Sequence, residues 1–449
     1  MDANHRPSGI SQSCLPRLLN EELVQGLATH GNCHWSLFTL LRVAFVWAIG
    51  EEPELTRRFT AAHDTALRLG WRDLGADTYQ GFLKALKRWT PTFRERLTRN
   101  FRKQMLALRG GHERLWGWCV LVVDGTRIAA SRTQANERAF QSPKKRRPKK
   151  RRPKRRRQAS RPKPARLPAG PQVWLTVLWQ MGLGLVWDWR HGHTGSSERD
   201  HLLEMLDDLP ERPLLVGDAG FQGFRLWTEL QRRQIGFVIR VGRNVRLIRQ
   251  LGIFRRQGDI VCLWPQGAQK RGQLPVLLRL LVFSTGRHPV YVVTNVLERT
   301  SLPDAAVGEL YRRRWGVELF LRTLKQTFGR GRLRSHSPGN VLLELDWSLL
   351  ALWCVELEGV EVLIAHGHPP SQLSPIHVLR SARERLKRPP DESAPVRSVG
   401  LKGDRYRRRR KTRRRWPRPK PYRDAGRPHL RAANTQECRI IQALVELIP

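Results

Sequence analysis

The sequence predicts an α/β domain preceded by an all-helical region, and three observations indicate this fold class. Residues 1 to about 112 have helix-like apolar spacing, punctuated by proline and glycine. After Gly110 and Gly111, short apolar runs typical of buried strands begin to alternate with helical segments. The end of the chain is mostly basic. We therefore expect three parts: residues 1–112, 113–370 and 371–449.

The first part is predicted to be helical throughout. Apolar positions recur at helical spacing in Glu21–Ala28, Trp35–Ala48, Gln80–Trp89 and Phe93–Leu108. No helix-turn-helix pattern stands out among these segments. Their role is therefore open at this point, and packing against the rest of the chain is one reading.

The middle part predicts three strands, a helix, a strand, a helix and a strand. The first strand, Trp118–Val123, ends at Asp124-Gly125, and the strand Leu214–Gly217 ends at Asp218. Several strand-like segments between residues 243 and 295 predict a β-rich insertion. Further helices are predicted over Pro303–Phe328 and Val341–Ala365.

The charge of the chain indicates its class of partner. Lys and Arg number 82 against 39 Asp and Glu, which gives a formal charge of +43. Lys144–Arg166 holds 15 basic residues and Arg405–Arg423 holds 12. The first run is rich in proline, so we expect an extended basic loop over residues 143–168, and the C-terminal tail is expected to be flexible from Lys402 up to about Pro428. Such a charge makes a polyanion the default partner.

Cysteine usage and hydropathy exclude several other classes. The six cysteines are scattered without a CxxC pair, which argues against a zinc finger and against a disulfide framework. Charged residues interrupt the most apolar stretches, so no membrane span is expected. No signal peptide is recognisable, and the chain is expected in the cytoplasm.

Asp124 and Asp218 each follow a predicted strand. Ligands and metal ions collect at strand ends in open α/β sheets. Either aspartate alone is weak support for a site, because an aspartate after a strand usually begins only a turn. A third candidate, Asp188, lies between two tryptophans and is expected on the exposed face of its strand.

The helix predicted over Pro303–Phe328 has one distinctive face. Four polar residues share an arc of about 60° if each residue turns the helix by about 100°. These residues are Tyr311, Arg314, Glu318 and Lys325. An ordinary amphipathic helix with an exposed Arg314–Glu318 pair would show part of this pattern. Cleavage of a phosphodiester by two metal ions needs several carboxylates, and cations on the same face can bind phosphates.

These segments together resemble the DDE transposases of the insertion-sequence-four family. The resemblance is carried by Asp124 in LVVDGTR, Asp218 in LLVGDAGFQG, and the helix YRRRWGVELFLRTLKQTFG. The family signature Y-x2-R-x3-E-x6-K fits the four residues of the helix face without a gap. The segment Gly195–Arg199 also looks like the family, and the resemblance covers roughly residues 115–350.

The resemblance implies an RNase H-like mixed sheet flanked by helices, with the β-rich insertion between the second and third acidic residues. It implies two Mg²⁺ or Mn²⁺ ions on three catalytic, metal-binding carboxylates. These are Asp124, Asp218 and Glu318. It also implies that three neighbours bind the DNA end near its 5′ phosphate. These are Tyr311, Arg314 and Lys325.

The activity implied by the resemblance is cut-and-paste transposition of a bacterial insertion sequence. Water would free a 3′-OH at each element end. That 3′-OH would attack the opposite strand to form a hairpin, which is then reopened. The 3′-OH would finally attack target DNA. The partners would be double-stranded DNA of the terminal inverted repeats and of the target, bound by a homodimer at the nucleoid. Residues 1–112 would bind the DNA ends, although simple packing is nearly as good a reading.

Two alternatives to this activity, and the identity of one aromatic residue, remain open from the sequence. A decayed or domesticated relative would bind DNA without cutting it, and an RNA-binding protein would also suit the basic runs. The family often carries an aromatic residue in the insertion that stacks on a flipped base. Trp264 and Tyr291 are candidates for that residue, but either also suits a place in the core.

Overall fold

The structure is a computed structural model that describes residues 18–28, 34–75, 77–140, 170–249, 260–285, 288–387 and 426–446. The basic loop expected over residues 143–168 and the basic run Arg405–Arg423 both lie outside the described residues.

The described part consists of one large sheet and the helices around it. The strands are β1 (Cys119–Ala129), β2 (Gln172–Gln180), β3 (Leu185–Gly192), β4 (Pro213–Gly217), β5 (Gly236–Val241), β6 (Arg246–Arg249), β7 (Ile260–Leu263), β8 (Val276–Thr285), β9 (His288–Thr294) and β10 (His429–Ala432). The helices are α1 (Leu37–Ile49), α2 (Leu55–Arg68), α3 (Tyr79–Ala107), α4 (Gln134–Phe140), α5 (Glu198–Leu203), α6 (Phe224–Arg232), α7 (Gln266–Gln269), α8 (Asp304–Arg313), α9 (Trp315–Arg322), α10 (Pro338–Ala365), α11 (Pro375–Lys387) and α12 (Thr435–Glu446).

Five strands form the centre of the sheet in the order β3-β2-β1-β4-β5. The first three are antiparallel neighbours, whereas β4 runs parallel to β1 and β5 runs parallel to β4. Parallel neighbours need a crossover, and the segments that contain α5 and α6 supply it. This is the RNase H-like arrangement, so the predicted fold class is confirmed.

The insertion between residues 243 and 295 is also β-rich, as predicted. Its strand β9 pairs antiparallel with β5, with Val238 opposite Thr294, and β8, β7 and β6 follow outward. The insertion therefore extends the central sheet. The outermost position is filled by β10, which pairs parallel with β6 through Leu430 and Leu247.

The C-terminal part, predicted as a basic tail over residues 371–449, has ordered segments on both sides of the stretch that was expected to be flexible. Residues 375–387 form α11, and residues 429–446 return to the sheet as β10 and α12. Glu437 binds Arg431 and the backbone N–H of Asn434 at 3.0 Å within this segment, and it accepts a hydrogen bond from the Gln269 side chain of α7 at 3.2 Å, which links the segment to the insertion. The basic composition concealed these short ordered segments.

The N-terminal helices pack on the long helix α10. Most side chains of α1 and α10 are buried, including Trp47 and Trp353, and both helices share one hydrophobic cluster with the central strands. α3 follows the same cluster with Phe93 against Trp347. Its Pro91 lies inside the helix. The N-terminal helices therefore share one hydrophobic core with the central strands and α10.

Asp188 is not on an exposed face, and the expectation for it was wrong. Its side chain on β3 is buried under α3, where it binds Arg102 at 3.1 Å and Arg190 at 2.9 Å. Nearby on α10, Asp346 lies 3.2 Å from His191 and accepts a hydrogen bond from the Trp189 indole at 2.7 Å. Ion pairs with arginines offset the free-energy cost of burying these carboxylates. The alternation of residues along a strand does not reveal such partners.

None of the helices in the described part of the chain is both long enough and apolar enough to cross a bilayer.

Candidate active site

Asp124 and Asp218 hold equivalent places on neighbouring parallel strands. Val122 on β1 pairs with Val216 on β4. Asp124 lies two residues after Val122 on β1, and Asp218 lies two residues after Val216, directly beyond the end of β4. β4 ends at Gly217, so both carboxylates lie at the edge where β4 stops accompanying β1. Parallel register thus brings together two residues that are far apart in sequence.

The turn expected after Asp124 does not occur. β1 continues through Gly125 to Ala129, and Gly125 pairs with Thr176 of β2. The Asp-Gly pair therefore lies inside a strand, and the glycine has another function there. Asp218 does begin a turn, because its Oδ1 accepts a hydrogen bond from the backbone N–H of Gly220 at 2.7 Å.

The helix predicted over residues 303–328 is interrupted at Arg314. α8 ends at Arg313, α9 begins at Trp315, and a π-helical turn over Thr323–Thr327 follows. π-helical turns are rare and occur frequently at functional sites. The face deduced from uniform α-helical spacing therefore forms from three helical pieces.

Arg314 and Glu318 form the centre of this face. Arg314 Nη2 lies 2.8 Å from Glu318 Oε1, and the two side chains are 15% and 30% exposed. In an ordinary amphipathic helix with this pair on its outer face, both side chains would be far more exposed to solvent. The Tyr311 ring lies beside the same guanidinium, 5.9 Å from its carbon atom.

Lys325 reaches the sheet from the π-helical turn. Its Nζ donates a hydrogen bond to the Thr126 hydroxyl on β1, two residues beyond Asp124. Burial lowers the pKa of Lys325, and the negative charge of Asp124 opposes that shift. The last residue of the signature is therefore close to the first aspartate.

Electrostatic coupling joins the three predicted carboxylates. Burial raises the pKa of Asp124 to about 6, and the charges of Asp218 and Glu318 add to the rise. The N–H of Gly125 and the guanidinium of Arg314 oppose it. Burial likewise raises the pKa of the Tyr311 hydroxyl, which is coupled to both Arg314 and Asp218. All six site residues that the sequence predicted therefore lie in one neighbourhood.

A fourth carboxylate lies in the same place, and the sequence did not identify it as a site residue. Glu198 is in the first turn of α5, and burial raises its pKa to about 7, with further contributions from Asp218 and Asp124. The Trp174 indole and the Arg127 guanidinium lower it in part. The only sequence signal was its place in the segment Gly195–Arg199.

The donor set suits divalent cations, although it is not closed around one. Within the described ranges, no three His, Cys, Asp or Glu side chains converge closely enough to enclose an ion as they stand. Asp124 Oδ1 accepts a hydrogen bond from the Gly125 N–H at 2.9 Å, and Glu318 is held by Arg314. Binding a cation therefore requires these side chains to leave their partners.

Two glycines leave room for carboxylate oxygens at this site. A Cβ on Gly125 would lie 2.0 Å from Glu198 Oε1, and one on Gly220 would lie 2.9 Å from Asp218 Oδ1. The space that side chains would occupy at these two positions instead faces carboxylate oxygens. Hard divalent cations prefer such oxygen ligands, so the residues fit this class of ion.

The two aromatic candidates for base stacking differ in position. Trp264 is half-buried and lines a cleft of about 1090 Å³ that also includes Gly220, next to Asp218. Its indole N–H donates to the Gln273 carbonyl at 2.7 Å. Tyr291 lies on β9 opposite Val241 of β5. A base-stacking role stays a prediction for either residue.

The chain was compared with known protein families and solved structures. The family described as "Transposase DDE domain" matches residues 184–354, which include Asp218, Glu318 and the whole signature but not Asp124. A curated relative, the transposase InsG for insertion sequence element IS4 from Escherichia coli strain K12, is 28% identical over 217 residues. That match covers 45% of this chain and 48% of the relative, so the chain aligns with about half the relative's length.

Among solved structures, one likeness is to the piggyBac transposase in a synaptic complex with hairpin DNA. It covers 84% of this chain and 77% of that chain at 12% identity, with a TM-score of 0.39. Over the stretches that they match, the family model and the curated relative both support a DDE transposase of the insertion-sequence-four family.

Proposed function

We propose that this protein is an active cut-and-paste transposase that cuts and rejoins DNA at the ends of a bacterial insertion sequence. One observation carries the proposal. Asp124, Asp218 and Glu318 come from three separate elements and are electrostatically coupled at one edge of the sheet. A structural role would favour neutralising such charges, as happens around Asp188, rather than grouping them.

The three carboxylates would hold two Mg²⁺ or Mn²⁺ ions. When bound, such ions activate the attacking oxygen and stabilise the leaving oxygen of a phosphodiester. Asp124 contributes a rigid position within β1, whereas Asp218 and Glu318 come from a turn and a helix. This combination allows small adjustments of spacing around a fixed ligand.

Tyr311, Arg314 and Lys325 would hold the DNA end. The planar guanidinium of Arg314 can bind a phosphate through two parallel hydrogen bonds, and Lys325 adds a compact charge. Both cations are partly buried, so water screens their attraction for a phosphate less than at an open surface. The Tyr311 hydroxyl is a further donor in the same place.

The partners would be terminal inverted repeats and target DNA, bound by a homodimer on paired ends at the nucleoid. A net charge of +43 supports a DNA partner. Residues 1–112 would take part in recognising the ends. A 3′-OH freed by water would attack the opposite strand to form a hairpin. After the hairpin is reopened, the 3′-OH would attack the target.

Cleavage of end-containing DNA tests the proposal. The substrate is a duplex that carries the inverted repeats flanking the reading frame, incubated with the full-length protein and Mg²⁺ or Mn²⁺. We expect metal-dependent nicks at the repeat boundary. Asp124→Ala, Asp218→Ala and Glu318→Ala should each abolish nicking and leave gel-shift affinity for the duplex largely unchanged.

Glu309→Gln is the matched control for these variants. Glu309 lies on α8 close to the signature, is 41% exposed and pairs with Arg313 across one helical turn. It should nick like the parent. Metal-dependent nicking by any of the three alanine variants would refute the assignment of that residue, and a parent that binds the repeats without cutting them would identify a non-catalytic relative.

A further inference from the structure

We propose that Glu198 supplies a fourth carboxylate to the metal site. The inference rests on the proposed function, because it concerns the same pair of divalent ions. It adds a ligand from α5, an element that carries none of the three carboxylates of the DDE signature.

The position of Glu198 in its helix does not account for its orientation. Acidic residues are common in the first turn of a helix, where they offset the helix dipole. In α5 the capping hydrogen bond runs from the Asp200 N–H to the Ser197 hydroxyl at 3.4 Å. Asp200 is 57% exposed and faces Arg225, as expected for a residue of the helix end. Glu198 instead points toward the sheet.

The contacts of Glu198 place it between the two aspartates. A Cβ on Gly125, which follows Asp124, would lie 2.0 Å from Glu198 Oε1. A Cβ on Gly220 would lie 2.9 Å from Asp218 Oδ1 and 3.4 Å from Glu198 Oε2. The two oxygens of Glu198 therefore face the surroundings of both aspartates at once.

The charge around Glu198 is not balanced by the protein. Among the described residues, none forms an ion pair with it within 4.0 Å. Asp218 and Asp124 repel it most strongly, whereas Arg127 attracts it. Arg127 itself lies over the Trp174 ring, 4.4 Å from its centroid. A divalent cation between the carboxylates would offset this repulsion further than Arg127 does.

This arrangement explains why residue 125 is a glycine. It lies inside an extended strand without a positive φ, so its backbone does not require glycine. A side chain there would displace the Glu198 carboxylate from the site. The glycine thus keeps space for a residue of α5.

Mn²⁺ binding by the full-length protein without DNA tests the inference. Titration calorimetry would compare the parent, Glu198→Gln, Asp218→Asn and the matched control Asp200→Asn. We expect Glu198→Gln to weaken Mn²⁺ binding by about tenfold or more, since even ligands outside the first shell have effects of that size. Asp200→Asn should bind like the parent, and circular dichroism should show that each variant is folded.

Gly125→Ala provides a second variant that removes no carboxylate. It should weaken Mn²⁺ binding in the same direction, and the double variant with Glu198→Gln should be no weaker than the weaker single variant. If the double variant lost Mn²⁺ affinity by the sum of the two single effects, the two substitutions would not act through the same carboxylate.

The outcomes separate the inference from the proposed function. Parent-like Mn²⁺ binding by Glu198→Gln, together with loss of binding in Asp218→Asn, would overturn the role of Glu198 and leave the three-carboxylate site in place. If neither the parent nor any variant shows saturable binding at millimolar Mn²⁺, the proposed metal site fails and the inference fails with it.

Discussion

Two groups of carboxylates in this molecule have opposite electrostatics, and the first is buried whereas the second is only partly buried. Asp188 and Asp346 lie between β3, α3 and α10, where Arg94, Arg102 and His191 surround them. The carboxylates of the proposed metal site lie near the end of β4 and are Asp124, Asp218, Glu198 and Glu318. Arg314 forms the ion pair with Glu318, and no ion pair of the described residues involves the other three.

The pKa values follow this difference. Burial alone would raise the pKa of Asp346, but His191, Arg94 and the Trp189 indole hold it below its usual range. Burial raises the pKa of Asp124 to about 6 and that of Glu198 to about 7, and neighbouring carboxylates reinforce both shifts. The first group is ion-paired throughout, whereas in the second only Glu318 has an ion-pair partner among the described residues.

The largest expected effect separates the two groups by activity. Asp218→Asn should reduce metal-dependent nicking by at least roughly a thousandfold, because it removes an anionic ligand and keeps the shape of the side chain. Its melting temperature without metal should not fall, since one repulsive charge is removed. A nicking assay and a thermal melt on the same preparation measure both, and a clear loss of stability would contradict the comparison.

The second prediction concerns the neutralised group. Asp346→Asn leaves Arg94 and His191 facing a neutral amide, so the free energy of unfolding should fall by about 3 kcal/mol. Urea denaturation followed by tryptophan fluorescence measures this change. The protein that remains folded should nick at the parental rate, and impaired nicking in that fraction would mean that the network also positions the site.

The third prediction is a pH dependence that differs in sign between the groups. A carboxyl whose pKa is raised on folding binds protons more tightly in the folded state, so its contribution to stability declines as pH rises from about 4 to about 7. Without metal, Glu198→Gln should melt like the parent at pH 5 and higher by about 2 °C at pH 8. Addition of Mn²⁺ at pH 8 should reverse that order.

Asp346 should respond in the opposite sense. Its lowered pKa means that its contribution is present above the unfolded value near 3.8 and is lost as pH falls below it. The melting difference between the parent and Asp346→Asn should therefore shrink below pH 4. A difference that stays constant in acid would show that the carboxylate charge is not what stabilises this region.

The smallest expected effect concerns the cations. Lys325→Gln should weaken binding to repeat-containing DNA by about tenfold and lower the salt dependence of binding by about one counterion. It should leave stability unchanged. Arg102→Gln should destabilise the fold, because Arg102 binds Asp188, and should leave DNA affinity unchanged. Gel shifts across salt concentrations and thermal melts of both variants test this division.

Local pattern was enough to predict much of the site. The spacing of Tyr311, Arg314, Glu318 and Lys325 places them on one face, and that face survives the break at Arg314 and the π-helical turn. The order of strands and helices, with the insertion before Asn295, was also predictable, because apolar periodicity reports which side of each element is buried.

Other features depend on contacts between distant segments. The burial of Asp188 results from α3 and α10 covering β3 with arginines, and the strand pattern around it carries no record of those partners. The return of β10 to pair with β6 is equally hidden, since four residues in a basic region give no periodic signal. Asp124-Gly125 was misread for the same reason, because Glu198, which explains the glycine, comes from another element.

The sequence by itself determined the fold class, the identity of three acidic residues and the composition of the helix face beside them. Only the tertiary structure decided that Asp124 and Asp218 stand at matching positions on parallel strands and that Glu198 joins them. It also decided which buried carboxylates are neutralised and which are not. The physical reason is that periodicity is a property of single elements, whereas charge balance is a property of the space between them.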